Sequence, residues 1–159
     1  MIRPMGAVKE EIRILGLDTC NPGVTVGVVT RGGLYLDGVI SISTSLKNTV
    51  KERARRIVNS TYFPELRAIM LHTPHDERDS RSLERMTGLP AIVISKEQPR
   101  HARDYKPFDR NPGRLWVKTQ LEPAILKKAL TATWRFGRLP EPLRVAHLLA
   151  SLDFSNTPG

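Results

Sequence analysis

The chain has 159 residues, of which 40% are hydrophobic and 26% charged, as expected for a single soluble globular domain with a substantial core. No apolar run approaches the roughly 18 residues that a membrane-spanning helix needs, and residues 1–10 lack the apolar segment of a signal peptide. The single cysteine, Cys20, cannot form an internal disulfide, so we expect a cytoplasmic protein that does not contact membranes.

Positive charge is concentrated in one part of the chain. The formal net charge is +9, but residues 1–80 carry 11 basic and 9 acidic side chains, a net of only +2. Residues 96–138 carry 11 basic and 4 acidic side chains, a net of +7. This local excess predicts a face that binds a polyanion, with nucleic acid as the expected partner. A solvated basic surface without a partner is the alternative.

The first half of the chain predicts three strands. Strand-like patterns begin at Ile12, at the β-branched residues from Val24, and at Leu34. The turns between them are far shorter than the dozen residues that a parallel crossover needs. We therefore predict an antiparallel meander that ends near Ile42.

Helices and strands alternate after the meander. Helical spacing over residues 49–58 precedes an apolar run formed by Leu66 and residues 68–71, which predicts a strand buried on both faces. A helix is predicted to end at Thr87 and Gly88, and residues 91–94 predict another buried strand.

The remainder of the chain begins with an unusually long loop. Residues 96–114 contain three prolines and many charges, and are predicted as a basic loop whose length favours a functional role. A short strand over residues 115–117 follows, then a helix over residues 121–133. A last helix has Pro142 in its first turn.

This order of elements predicts an α/β domain of ribonuclease-H-like architecture, with a mixed five-stranded sheet and helices on both faces. Three antiparallel strands come first and parallel strands follow. The domain is expected to span residues 12–152, between a flexible leader (1–11) and a frayed tail (153–159). Asp18, at the end of the first strand, is then expected beside residues 71–72 at the end of the fourth, where open α/β sheets hold ligands.

Two stretches resemble a known family of nucleases. Residues 137–151, GRLPEPLRVAHLLAS, resemble the C-terminal signature of endonuclease V, and residues 121–122 match its leucine-glutamate helix opening. Residues 14–18 and 31–39 resemble a narrower, mainly archaeal endonuclease-V-like family associated with cleavage of DNA at deoxyuridine. The resemblance implies a metal-dependent endonuclease that uses Mg²⁺ or Mn²⁺ and acts on DNA with deaminated bases. RNA is the second possible partner.

The resemblance also implies where the active site lies. The family's first metal-binding aspartate falls on Asp18, and its late active-site position on the final helix falls on His147. The aspartate that should end the fourth strand is missing, because the strand runs into His72. Asp76 lies close to that position, and Glu52 is the acidic candidate for the glutamate that endonuclease V has after its third strand. The predicted catalytic residues are therefore Asp18, His147 and His72, and the predicted metal ligands are Asp18, Asp76 and Glu52.

Each of these residues has a simpler explanation. Asp18 can cap the turn that follows its strand, and His147 can be a histidine on a partly apolar helix. Glu52 can form a capping box with Thr49. A histidine at position 72 leaves three possibilities open: a preference for a transition metal rather than Mg²⁺, a contribution from Asp76, or an inactive site.

Nucleic-acid contacts are predicted for seven cations of the basic region. They are Lys96, Arg100, Arg103, Lys106, Arg110, Arg114 and Lys118. Besides an endonuclease, the sequence allows a catalytically degenerate module that binds nucleic acid through its basic face, or a structural component of a larger complex.

Overall fold

A single mixed sheet forms the centre of the molecule. The computed structural model describes residues 2–21, 24–43, 49–72, 77–110 and 113–152. Their seven strands lie in the order β3-β2-β1-β4-β5-β7-β6. The strands are β1 (Arg13–Asn21), β2 (Val24–Arg31), β3 (Tyr35–Ser43), β4 (Ala68–His72), β5 (Ala91–Ser95), β6 (Lys106–Arg110) and β7 (Gly113–Thr119). The helices are α1 (Thr49–Val58), α2 (Ser80–Thr87), α3 (Pro123–Thr133) and α4 (Glu141–Ala150).

The first part of the sheet has the predicted topology. β1, β2 and β3 form an antiparallel meander, and β4 and β5 extend the sheet beside β1 as parallel strands. The sequence prediction of a mixed sheet with three antiparallel strands followed by parallel ones is confirmed.

The predicted strand number and the predicted basic loop are wrong. The sheet has seven strands rather than five, because residues 106–110 and 113–119 form an antiparallel hairpin whose second strand pairs with β5. β6 has the sequence KPFDR and lies at the sheet edge, exposed or half-exposed along its whole length. An edge strand of this kind needs no alternation of apolar and polar residues, and it tolerates a proline such as Pro107. Its strand conformation depends on pairing with β7, which its own sequence does not reveal.

Helices cover both faces of the sheet. On β4, Ala68 and Met70 face one side and pack in a core with residues of α3 and α4. Ile69 and Leu71 face the other side and pack in a core with residues of α1 and α2. The predicted burial of this strand on both faces is therefore confirmed, and none of the helices in the described parts is long and apolar enough to cross a membrane.

Residues 2–12 have no regular secondary structure but contact the domain. Met5 is buried in the core on the α3 side, and its carbonyl accepts a 2.7 Å hydrogen bond from Nη2 of Arg67. The Arg3 guanidinium donates a 3.0 Å hydrogen bond to the carbonyl of Leu66. These contacts hold the segment against the end of the sheet where β1 and β4 begin. The predicted tail over 153–159 lies outside the described residues.

Candidate metal centre

Two neighbouring parallel strands bring Asp18 and His72 together. Leu17 of β1 lies opposite Leu71 of β4, so the next residue on each strand lies at the same carboxyl-end edge of the sheet. Side chains alternate between faces along a strand, so Asp18 shares a face with Gly16, the face that α4 covers. His72 is likewise in phase with Met70, which packs on the α3 and α4 side.

Gly16 allows α4 to pack close enough to β1 that His147 reaches Asp18. A Cβ atom on Gly16 would lie 2.4 Å from both the carbonyl carbon and the carbonyl oxygen of Pro142, so the helix backbone rests directly on β1. Leu143, the next residue, is fully buried. His147 follows it by four residues, about one helical turn, on the same side of the helix. This contact sets His147 above the end of β1.

The three side chains converge on one carboxylate oxygen. Nδ1 of His147 lies 3.1 Å from Oδ2 of Asp18, and Nδ1 of His72 lies 3.5 Å from the same oxygen. The two imidazole rings meet edge to face, with centroids 5.7 Å apart. One donor atom from each residue lies within 4.8 Å of the others, a spacing that suits a bound cation.

The cluster is buried on one side and open on the other. The side chain of Asp18 is 3% exposed and that of His72 13%, whereas that of His147 is 41% exposed. A buried carboxylate needs charged or hydrogen-bonding partners, and the two imidazoles supply them. Next along the strand, the hydroxyls of Thr19 and Thr25 lie 2.7 Å apart and join β1 to the start of β2. The open side is where a phosphate or a water molecule can approach.

The other predicted ligands do not join this group in the described residues. Among those residues, Asp18, His72 and His147 form the group that could hold a metal, and Glu52 is not part of it. Glu52 is half-buried in the first turn of α1, a helix that packs against α2 and β3. Asp76 lies outside the described residues, as does the side chain of Thr49 in the predicted capping box.

The seven predicted nucleic-acid-binding cations do not form a single loop surface. Arg103, Lys106 and Lys118 line a cleft of about 390 Å³ beside α2 and β5, together with Arg81. Arg81 lies outside the basic stretch of the sequence, so only the folded structure indicates it. Lys96 and Arg100 lie in the segment that follows β5.

The two remaining cations contact the hairpin and α3. Arg114 pairs with Asp109 across the β6–β7 hairpin through hydrogen bonds of 2.5 and 3.2 Å, and this contact lowers the pKa of the Asp109 carboxyl. Nη1 of Arg110 donates a 3.1 Å hydrogen bond to the carbonyl of Thr131, at the end of α3. Part of the predicted positive charge is therefore already engaged within the protein.

The strand order and the helices on both faces of the sheet give an α/β fold of the ribonuclease-H-like type. Solved structures support this class. A crystal structure of a protein of unknown function from Archaeoglobus fulgidus superposes with a TM-score of 0.70 at 22% identity, covering 87% of this chain and 96% of that chain. Endonuclease V of Ciona intestinalis, in complex with an inosine-containing 24mer DNA, superposes with a TM-score of 0.57 at 11% identity. The superposition covers 87% of this chain and 83% of the endonuclease chain. At these identities the likeness establishes the fold alone.

Sequence relatives identify the family. A UPF0215 protein of Methanopyrus kandleri is 33% identical, with 91% of this chain and 92% of the relative covered. One from Methanosarcina mazei is 31% identical, with 91% of each chain covered. This chain belongs to the UPF0215 family, although a scan against protein-family models found no match. The alignment with the Methanopyrus protein extends over 181 residues, so that relative carries segments that this 159-residue chain lacks.

Proposed function

We propose that this protein is a metal-dependent endonuclease that acts on DNA containing deaminated bases, deoxyuridine in particular. The observation that carries the proposal is the convergence of Asp18, His72 and His147 at the carboxyl ends of β1 and β4. This edge is where open α/β sheets hold their ligands. The fold shared with an endonuclease V that was solved on an inosine-containing DNA supports the substrate class.

The distances in the cluster suit a divalent ion. Two ligand atoms that each lie about 2.1 Å from an ion are about 3.0 Å apart in octahedral geometry and about 3.4 Å apart in tetrahedral geometry. The two imidazole nitrogens lie 3.1 and 3.5 Å from Oδ2 of Asp18. Side chains in these positions can hold an ion with small adjustments. A divalent ion polarises the scissile phosphate and lowers the pKa of a bound water molecule.

Each residue of the cluster has a distinct part in this proposal. Asp18 would supply the negative charge that attracts the ion, and its burial keeps competing water away from the carboxylate. His72 would hold the ion from the side of β4. His147 is half-exposed, so it can also contact the phosphate of a bound strand. The cleft that contains Arg103, Lys106 and Lys118 lies on the α2 side of the sheet, whereas the cluster lies on the α3 and α4 side, so the two would contact different parts of a bound nucleic acid.

Cleavage assays on defined oligonucleotides test the proposal. Duplexes that contain a single deoxyuridine, a single inosine or neither are incubated with the protein and Mn²⁺ or Mg²⁺. We expect strand cleavage that depends on the metal and on the deaminated base. Asp18→Asn should abolish it, while His101→Ala, a change at an exposed histidine outside the cluster, should leave it unchanged. No cleavage by the wild type under any metal, or equal cleavage by Asp18→Asn, would contradict the proposal.

A second candidate is a nucleic-acid-binding module without catalytic activity. It is favoured by one observation: the metal-ligand group in the described residues contains a single carboxylate. Gel-shift measurements on the same oligonucleotides separate the two functions. Salt-sensitive binding without cleavage, unchanged in Asp18→Asn, would support the binding module.

A further inference from the structure

The donor atoms of the cluster indicate which ion it selects. We propose that Asp18, His72 and His147 form a site for a first-row transition ion such as Mn²⁺, Co²⁺ or Zn²⁺, and that the site discriminates against Mg²⁺. This inference deepens the proposed function, because it names the ion class of the same site. It can also be tested without nucleic acid.

The chemistry of the ligands is the first argument. Mg²⁺ is a hard ion that prefers oxygen ligands in near-ideal octahedral geometry. The cluster offers one carboxylate and two imidazoles. Imidazole nitrogen suits Zn²⁺, Fe²⁺ and other transition ions, and sets of two histidines and one carboxylate hold such ions with positions left open. The donor set therefore matches a transition ion and fits Mg²⁺ poorly.

The rigidity of the surrounding backbone is the second argument. Asp18 and His72 lie on adjacent paired strands, and His147 lies on a helix whose backbone contacts Gly16 directly. None of these elements can shift without disturbing the core on the α4 side. The backbone therefore holds the three residues next to one another, so an ion bound there would meet two imidazoles as well as the carboxylate.

The exposure of the cluster is the third argument. Structural metal sites in proteins are closed, with every position taken by protein ligands, whereas catalytic sites keep one position open. Here three side chains converge, and that of His147 is 41% exposed. The geometry points to an ion with at least one position free for water or a phosphate oxygen.

Titration with Co²⁺ tests the inference directly. Co²⁺ bound to nitrogen and oxygen ligands absorbs visible light, so binding to the metal-free protein can be followed without any substrate. We expect saturation at one ion per chain, displacement by an equal concentration of Zn²⁺, and no displacement by a large excess of Mg²⁺. Displacement of Co²⁺ by Mg²⁺ at comparable concentrations would overturn the inference, as would the absence of stoichiometric binding.

Two variants assign the binding to the cluster. Loss of a hydrogen-bonding partner of a metal ligand typically costs about 10- to 100-fold in affinity, so His147→Ala should weaken Co²⁺ binding by at least this factor. His147 is half-exposed, which makes the variant compatible with folding; circular dichroism checks this. His101→Ala is the matched control and should bind Co²⁺ like the wild type. Unchanged Co²⁺ affinity in folded His147→Ala would overturn the assignment.

A charge-adding variant tests the selectivity itself. His72→Asp replaces an imidazole by a second carboxylate beside Asp18, so it should raise the affinity for Mg²⁺ and lower that for Co²⁺. Opposite shifts for the two ions support the inference, and equal changes for both would contradict it. If the protein binds Co²⁺ as expected but cleaves no oligonucleotide, the ion site stands and the proposed endonuclease function fails.

Discussion

At the scale of single residues, the candidate site depends on the missing side chain of Gly16 as much as on the ligand atoms of its three polar residues. Gly16 lies two residues before Asp18 on the same face of β1, and the backbone of Pro142 occupies the space that a Cβ atom would take. The glycine therefore sets the distance between β1 and α4. That distance in turn determines whether His147 reaches Asp18.

Gly16→Ala should destabilise the protein and disrupt the cluster. The new methyl group would overlap the carbonyl group of Pro142, so α4 must move, at a cost of about 1–3 kcal/mol in the free energy of unfolding. Chemical denaturation measures this cost, and Co²⁺ titration measures the effect on the cluster. Gly113→Ala is the matched control, because its nearest contact would be an ordinary 3.8 Å to Trp134. Equal stability of the two variants would show that α4 can move away from β1 without cost.

The raised pKa of Tyr105 predicts how the free energy of unfolding responds to alkaline pH. Burial raises the pKa of its phenol well above the usual value of about 10, and the nearby Glu77 carboxylate adds to the shift. Below pH 10 the phenol is protonated in both the folded and the unfolded chain, so it does not affect stability. Above pH 10 the unfolded chain loses the proton while the folded chain keeps it, so the free energy of unfolding falls as pH rises.

Tyr105→Phe isolates this effect. The variant should lose less stability than the wild type between pH about 8 and about 11, because phenylalanine has no proton to release. Urea denaturation across this range gives the comparison. Parallel pH profiles for the two proteins would mean that Tyr105 ionises as easily in the folded state as in the unfolded one.

At the scale of the elements, the contacts at the start of α4 explain why residues 137–144 form a recognisable sequence motif. Gly137 has a φ of 65°, and its carbonyl accepts a 3.1 Å hydrogen bond from the indole nitrogen of Trp134. Glu141 in the first turn forms two hydrogen bonds to Arg144, and they raise the pKa of that guanidinium. These contacts set the start of the helix. One face of the helix then packs on β1 and β2 while His147 faces the cluster.

The β6–β7 hairpin should resist hydrogen exchange. β7 lies between β5 and β6 and is paired on both sides, so its amides should exchange far more slowly than those of residues 97–101. β6, at the edge, should be intermediate because it is paired on one side only. Exchange measured by mass spectrometry or NMR gives both comparisons. Exchange of residues 106–110 as fast as that of residues 97–101 would restore the prediction of a loop for that segment.

At the scale of the whole molecule, the distribution of charge is the property most relevant to a polyanionic partner. The sequence predicts a basic region, and the fold divides it between a cleft beside α2 and the hairpin. The cleft also takes in Arg81 from α2, while Asp109 neutralises Arg114. Binding of nucleic acid is therefore expected to depend more on the cleft than on Arg110 and Arg114 of the hairpin.

The salt dependence of nucleic-acid binding tests this expectation. The affinity falls as salt rises, and each phosphate contact makes the slope of log affinity against log salt concentration steeper by about 0.9. The double variant Arg103→Ala/Lys106→Ala should therefore make this slope shallower by roughly 2. Arg55→Ala, a change at an exposed cation on α1, is the control and should leave the slope unchanged. Fluorescence anisotropy at several salt concentrations measures all three proteins. A similar loss in the control would indicate diffuse attraction rather than binding in the cleft.

The candidate site was only partly predictable from the sequence. Asp18 is visible because it ends a recognisable strand, and the order of the strands predicts its position beside His72. The missing aspartate at position 72 is also visible, but the sequence leaves three explanations for it. The structure adds that both imidazoles lie close to one carboxylate oxygen of Asp18.

The sequence by itself determined the meander, the buried strands and the helices, because their patterns depend on residues close together in the chain. The tertiary structure alone decided the strand conformation of residues 106–110 and the direct contact of Asp18 with His147, which are 129 residues apart and which the sequence assigns to one site only through the family resemblance. Both depend on long-range contacts: pairing with a neighbouring strand, and the seating of α4 on Gly16. Periodicity cannot report such contacts, because they form only when distant segments pack together.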